Sequence, residues 1–258
     1  MKDFWGFGGY QREPEGYFSW QHLTFVTSLM SIMVALAIFF GLRNKNKELK
    51  QKNKVLIWAT IIIEAMYVFE LIFFSIRDNN SILYNLPLFL CSIQYITIPL
   101  AAFSKGKIKE AALDFVFVFG LLGAIAGTYF AGQNYAAYPV ISVNNVASGL
   151  THSISGFASL YIVISGMESM KKQNVFMCFA ILGVFCILAS IANALIPYNY
   201  MFLVTPDNTP YEIFYNLVNG NKILYPIIVV LLFFVYIVLF YTVYFAIKSK
   251  CKKINKKG

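Results

Sequence analysis

Charge is what this chain has least of. Only 13% of its 258 residues are Asp, Glu, Lys or Arg, against 59% hydrophobic. A soluble domain carries about a quarter charged residues, so an ordinary soluble fold is excluded. Histidine is scarcer still, with His22 and His152 alone, which leaves no histidine-rich metal motif. The four cysteines, Cys91, Cys178, Cys186 and Cys251, include no C-x-x-C pair, so zinc-ribbon and thioredoxin-type motifs have no support. The last apolar stretch, ILYPIIVVLLFFVYIVLFYTVYFAI, contains no lysine, which excludes a retinal Schiff base there. No internal repeat and no pair of broken apolar segments is visible, against a repeat-built transporter. Neither a cofactor motif nor a metal motif is found. No small-residue cleavage site follows the first apolar block, so that block is expected to remain as an anchor.

What the chain does have is apolar blocks of about twenty residues, the length that crosses a hydrocarbon core as a helix. They predict spans at 23–42, 55–76, 86–103, 111–131, 148–166, 175–197 and 223–247. The expected fold is therefore an all-α membrane protein, a bundle of about seven transmembrane helices. Residues 1–22 read as an extracytoplasmic interfacial segment, 23–247 as the transmembrane domain and 248–258 as a basic cytoplasmic tail.

Orientation follows from the basic residues. The segments 43–54, 104–110, 167–174 and 248–258 hold seventeen Lys and Arg. The alternate set holds four, namely Lys2, Arg12, Arg77 and Lys222. The positive-inside rule puts the richer set in the cytoplasm, with the N-terminus outside. The net charge of +9 is thereby explained as topology, and nucleic acid is not expected as a partner. Aromatic residues of the outer segments, among them Trp5, Tyr10, Trp20, Tyr198 and Tyr211, suit the headgroup region.

Ionisable groups inside a bilayer cost about 2.5–3.5 kcal/mol each on the insertion scale, so each one asks for a reason. Glu64 and Glu70 lie on the second span. Asp114 is expected in the first turn of the fourth, where a carboxylate suits the helix dipole. His22, Glu70, Cys91, His152 and Asn193 share the outer half of the bilayer, within about 10 Å of depth by helical rise. On the third span Cys91, Gln94 and Tyr95 share a face. On the fifth, His152, Ser155 and Ser159 form a stripe beside Gly149, Ser153 and Gly156. On the sixth, Cys186, Ser190 and Asn193 form another. Polar stripes in lipid turn inward, which predicts a polar cavity open to the outer leaflet.

A cysteine and a histidine together can serve as nucleophile and base. The plainer reading of each is structural. Cys178 and Cys186 fit as packing residues, and His22 fits a helix start. Glu64 and Glu70 fit as protonated groups bonded to a neighbouring tyrosine, serine or asparagine. A transporter or channel using Glu64, Glu70 and the histidines is the alternative function class, and a seven-helix receptor has no positive motif.

Four stretches taken together carry a resemblance: GYFSWQHLTF (16–25), NLPLFLCSI (85–93), THSISG (151–156) and NALIPYNYMFLVTPDNTPYEIFYNL (193–217). In this order and spacing the chain resembles the YwaF-type integral membrane family of bacteria, relatives of the transmembrane protein 164 acyltransferases, from about residue 16 to 247. The start of the last span, ILYPII, is poorer in aromatics than that pattern. The resemblance implies an intramembrane lipid acyltransferase or acyl-ester hydrolase in a bacterial plasma membrane. It makes Cys91 the nucleophile and His152 the base, and His22 matches the family's first-helix histidine; Glu70, Gln94 and Asn193, from the reading of polar residues, are the candidates to orient the histidine or stabilise an oxyanion. It also implies a membrane phospholipid or fatty-acyl ester as the substrate.

Overall fold

The computed structural model describes all residues except Met1, Asn80, Ser169, Asn208 and 255–258. The described residues form helices and turns, without strands. Among the described residues, six helices are long and apolar enough to cross a membrane. The chain divides into two compact units, 1–169 and 170–258.

The first unit holds α1 (Lys2–Trp5), α2 (Trp20–Asn44), α3 (Leu49–Arg77), α4 (Gln94–Phe103), α5 (Gly106–Tyr129), α6 (Gly132–Ala137) and α7 (Val143–Ile164). α5 is its centre. Residues 111–120 of α5 are buried on every face, as expected of a helix that is apolar all round and surrounded by others. α4 and α7 pack directly on it, α3 packs on α4, and α2 packs on α7. Leu56 and Ile63 of α3, Ile98 of α4, Val116 of α5 and Tyr161 of α7 meet in one core.

Lipid offers apolar side chains no reason to leave it, so close helix contact depends on small residues and shape. A Cβ at Gly156 would fall 2.6 Å from Ala124 Cβ, and one at Gly120 would fall 2.6 Å from the Ser155 carbonyl. The serines of α7 belong to this packing. Ser159 donates to the Phe117 carbonyl of α5 at 2.9 Å, and Ser155 donates back to Thr151 O at 3.0 Å. The expected stripe of His152, Ser155 and Ser159 is therefore divided: both serines are buried, and only His152 keeps access.

The third expected span differs most. Its helix begins at Gln94, not near 86, and has ten residues, or about 15 Å of rise. Pro87 is the cause. It holds Leu86 extended (φ −65°, ψ 148°), and the Leu88 N–H closes onto Leu86 O at 2.8 Å. Tight turns then lead through Cys91 into α4. Pro99 also withholds an N–H inside α4. At the far end, Asn53 of α3 donates to Ala102 O at 2.6 Å, and Lys109 Nζ donates to Asn53 Oδ1 at 2.7 Å. The segment 86–103 thus runs back along α3 from its Arg77 end to its Asn53 end.

A second correction concerns Asp114. α5 starts at Gly106, so Asp114 lies more than two turns inside it and is fully buried.

The N-terminal residues are tied across α3 and α7. Tyr10 Oη donates to Asn144 Oδ1 at 2.7 Å, and Arg77 Nη1 donates to the same oxygen at 2.6 Å. Val140 N–H donates to Glu15 Oε2 at 2.8 Å. Burial raises the Tyr10 hydroxyl pKa, against an opposing effect of Arg77, so Tyr10 stays a donor at neutral pH.

The second unit holds α8 (Asn174–Leu195), α9 (Glu212–Leu217) and α10 (Leu224–Ile254). α8 and α10 pack together. Cys178 Sγ meets Tyr241 Oη at 3.5 Å, and the Phe179 and Phe234 rings lie 5.0 Å apart.

Candidate functional site

In the first unit, α5 presents the run Gly123-Ala-Ile-Ala-Gly127. This G-x-x-x-G spacing leaves one helix face bare and lets backbones or side chains approach closely. Two groups come to that face. A Cβ at Gly123 would lie 3.7 Å from Cys91 Cβ, and a Cβ at Gly127 would overlap the His152 ring at Cε1 and Nε2. Positions i and i+4 are about 5–6 Å apart on a helix, so Cys91 Cβ and His152 Nε2 can be no more than about 12 Å apart. Cys91, Gly123, Gly127 and His152 all keep partial access, although the neighbouring stretch 111–120 is buried.

Each side chain owes its place to local structure. Cys91 sits in the turns that Pro87 enforces, outside regular helix. Its sulfur lies 4.0 Å from Ser92 Oγ. His152 is in the third turn of α7, capped by Ser142, whose Oγ accepts from Asn145 N–H. No hydrogen bond to the His152 ring is found among the described residues, so its nitrogens are available to a reacting group.

Beside Cys91 lies a connected set from α3, α4 and α7. Tyr95 donates to Glu70 Oε2 at 3.0 Å and stacks on Tyr67 with ring centroids 4.6 Å apart. The Tyr95 hydroxyl also lies beside the Thr151 hydroxyl. Glu70 Oε1 is buried without a partner. Gln94 is 1% exposed. Its Oε1 accepts from Thr97 at 3.1 Å, and its Nε2 is buried without a partner. A buried amide that offers N–H groups to nothing costs about 1–3 kcal/mol, and so does an orphaned carboxyl oxygen. Such atoms suit a site whose remaining partner is a bound group.

The other sequence candidates are placed differently. His22 is fully buried and both ring nitrogens are in use. Nδ1 accepts the Phe18 N–H at 3.1 Å, and Nε2 faces Thr128 O at 3.1 Å, where it must donate. These partners fix a neutral Nε2–H tautomer, and the Tyr135 ring covers it at 3.9 Å. His22 therefore ties the start of α2 to the end of α5, one residue from Gly127. Asn193 belongs to the second unit. Its Oδ1 accepts Tyr200 N–H at 2.7 Å and its Nδ2 donates to Tyr200 O at 3.0 Å. It clips the turn at 200–202, where Met201 and Phe202 have φ of 56°. Cys186 of the same stripe packs on Met201 Sδ at 3.8 Å. Glu64 is half-buried, and its Oε1 has no partner.

Reading polar residues alone missed the two glycines. Their signal was present, since Gly123 and Gly127 have the spacing of a close helix contact. Thr151 was missed because a threonine in an apolar helix most often bonds its own backbone. It does so here as well, toward Ala147 O at 3.1 Å.

Comparison with known proteins adds one match. The model of the TMEM164 family fits residues 17–249. No curated protein and no solved structure matches.

Proposed function

The chain belongs to the TMEM164 family, and we propose that it is an intramembrane acyl-transfer enzyme acting on a phospholipid or fatty-acyl ester. The observation that carries this reading is the convergence of Cys91 and His152 on one bare glycine face of α5.

In the proposed reaction His152, with a ring nitrogen free, takes the thiol proton, directly or through one water. Cys91 Sγ attacks the ester carbonyl carbon and forms a carbon–sulfur bond. The carbonyl oxygen becomes an oxyanion, and Gln94, three residues from Cys91 and with its Nε2 orphaned, is the donor proposed for it. As the carbonyl re-forms, the ester C–O bond breaks and the departing alcohol takes the proton from His152. An acceptor hydroxyl, or water, then repeats the sequence in reverse on the thioester. Transfer and hydrolysis differ only in that acceptor. Tyr95 and Glu70 hold the wall beside Cys91. His22 acts as a clasp on α5, and Asn193 shapes the turn at 200–202.

The same reading includes seven crossings. The segment 86–103 supplies the seventh, as a short helix with a non-helical lead-in. Irregular backbone at membrane depth is acceptable where it lines a site. The hydrogen bonds that return Ala102 to the level of Asn53 support this count. With seven crossings all seventeen inner-set Lys and Arg fall on the cytoplasmic side, the N-terminus lies outside, and Cys91 faces the outer half of a plasma membrane.

The test is Cys91→Ala beside the wild type, with intact-mass spectrometry after exposure to phospholipid or an acyl ester. An acyl adduct on the wild type that is absent from the variant supports the reading. No adduct, unchanged lipid composition and a solute flux that depends on Glu70 but not on Cys91 would replace it with a transporter.

A further inference from the structure

Residues 6–18 hold themselves weakly. They form no helix, and their own backbone bonds are two turns, Gly9 N–H to Gly6 O at 3.1 Å and Ser19 N–H to Gly16 O at 3.3 Å. Gly6, Gly8, Gly9 and Gly16 have φ between 72° and 94°, a region that glycine enters without steric cost. The stretch is held by side chains that reach other elements. Tyr10 Oη donates to Asn144 Oδ1 of α7 at 2.7 Å, and Arg77 of α3, whose side chain is only 5% exposed, donates to the same oxygen. Arg77 Nη1 also lies 3.5 Å from Trp5 O. Farther along, Glu15 accepts the Val140 N–H. Gly6 belongs to this arrangement, since a Cβ there would fall 2.6 Å from Tyr10 Cζ. The tyrosine folds back over bare backbone to reach Asn144.

The position of this knot follows from helix geometry. Arg77 is at i+7 from Glu70 on α3, and Asn144 is at i−7 from Thr151 on α7. Seven residues are almost two full turns, so each pair shares a helix face and is separated by about 10 Å of rise. Glu70 and Thr151 are themselves linked through Tyr95, in the set beside Cys91. The path from that set toward the Arg77 end, between α3 and α7, therefore meets Arg77, Asn144 and Tyr10.

We propose that residues 6–18 are a strap that gates the aqueous route to Cys91, with Tyr10 as its latch and the four glycines as its hinges. A segment with few bonds of its own and an exposed backbone opens locally without unfolding the helices beneath it. The gated traveller is a small, polar, water-borne molecule. The gate concerns access alone, so it holds whether or not Cys91 forms a thioester.

The experiment uses the full chain in phosphatidylcholine nanodiscs and the membrane-impermeant thiol reagent 2-(trimethylammonium)ethyl methanethiosulfonate. The Cys91 thiolate attacks the reagent's thioether-like sulfur. A disulfide forms, methanesulfinate leaves with the electron pair, and the thiol proton goes to water. Peptide mass spectrometry reads the label on Cys91, and hydrogen exchange of the Val140 amide reads the strap. One hydrogen bond is worth about two- to twelvefold in such an opening equilibrium. Tyr10→Phe is expected to raise Cys91 labelling and Val140 exchange together, by about two- to twelvefold. Gly6→Ala, whose methyl displaces the Tyr10 ring, should raise both at least as much. Gln11→Ala, which alters an exposed side chain of the strap, should change neither, and the buried Cys178 should stay unlabelled throughout.

Faster Val140 exchange with unchanged Cys91 labelling overturns the proposal, because the strap then opens without gating anything. Unchanged values in both Tyr10→Phe and Gly6→Ala overturn it by removing the latch. So does labelling of Cys178 in step with Cys91, which marks general loosening. A Cys91 that no variant exposes to the reagent shows that no aqueous route lies beneath the strap.

Discussion

The imidazole of His152 occupies the space that any side chain at position 127 would fill. The ring of α7 and the backbone of α5 are fitted to each other, so the place of the proposed base is set by a residue that carries no functional group.

Gly127→Ala should consequently act on chemistry through position alone. The new methyl must push the ring away, because the helix backbone beneath it cannot yield. Loss of a positioned general base costs about 10²–10⁴-fold. The expected outcome is a fall in thioester formation of at least about a hundredfold, with Cys91 still open to a small alkylating reagent. Raising the pH should restore part of the rate, since hydroxide then makes the thiolate without His152. A rate unaffected by the methyl, or a loss that pH does not relieve, would show that His152 is not the base.

Tyr95 and Glu70 join α4 to α3 by a hydrogen bond of 3.0 Å in which Tyr95 donates. Tyr95→Phe would leave both Glu70 oxygens buried without a partner, since Oε1 already has none. The expected loss of stability is about 1–3 kcal/mol, read as a lower unfolding midpoint in detergent. Glu70→Gln keeps an acceptor for Tyr95 and should cost less. Glu70→Leu removes the same bond, so its loss and that of Tyr95→Phe should not add in the double variant. Additive losses would mean that the pair does not interact.

His22 separates a clasp from a catalyst. Its two nitrogens serve Phe18 N–H and Thr128 O, at 3.1 Å each. His22→Ala should lower stability by about 1–3 kcal/mol through two unpaired backbone groups. The variant that remains folded should still form the acyl adduct on Cys91, with an unshifted pH dependence. A changed pH profile at unchanged stability would instead place His22 in the chemistry.

Much of this was legible in the chain. Six of the seven apolar blocks became long helices close to their expected places, because crossing lipid forces the backbone to bond within each segment. The resemblance carried by the four stretches pointed to the TMEM164 family, whose model fits residues 17–249. The short α4 was not anticipated, although Pro87 was in view. Hydropathy counts apolar residues and is insensitive to where proline stops a helix.

What the sequence determined by itself is the class of protein, the order of its apolar helices and the short set of residues in which chemistry had to be sought. Length, hydropathy and the distribution of lysine act locally along the chain, so they can be read without a structure. Which of those residues meet was decided only in three dimensions. His22 and Asn193 read like His152 and Gln94 in the sequence, yet their polar atoms are spent on backbone partners. His152 and Gln94 Nε2 keep theirs unspent, and Gly123 and Gly127 bring His152 and Cys91 to one face of α5. Pairing of this kind depends on the rotation and separation of whole helices. Packing of small residues across α5 and α7 sets both, and no local pattern in the chain encodes them.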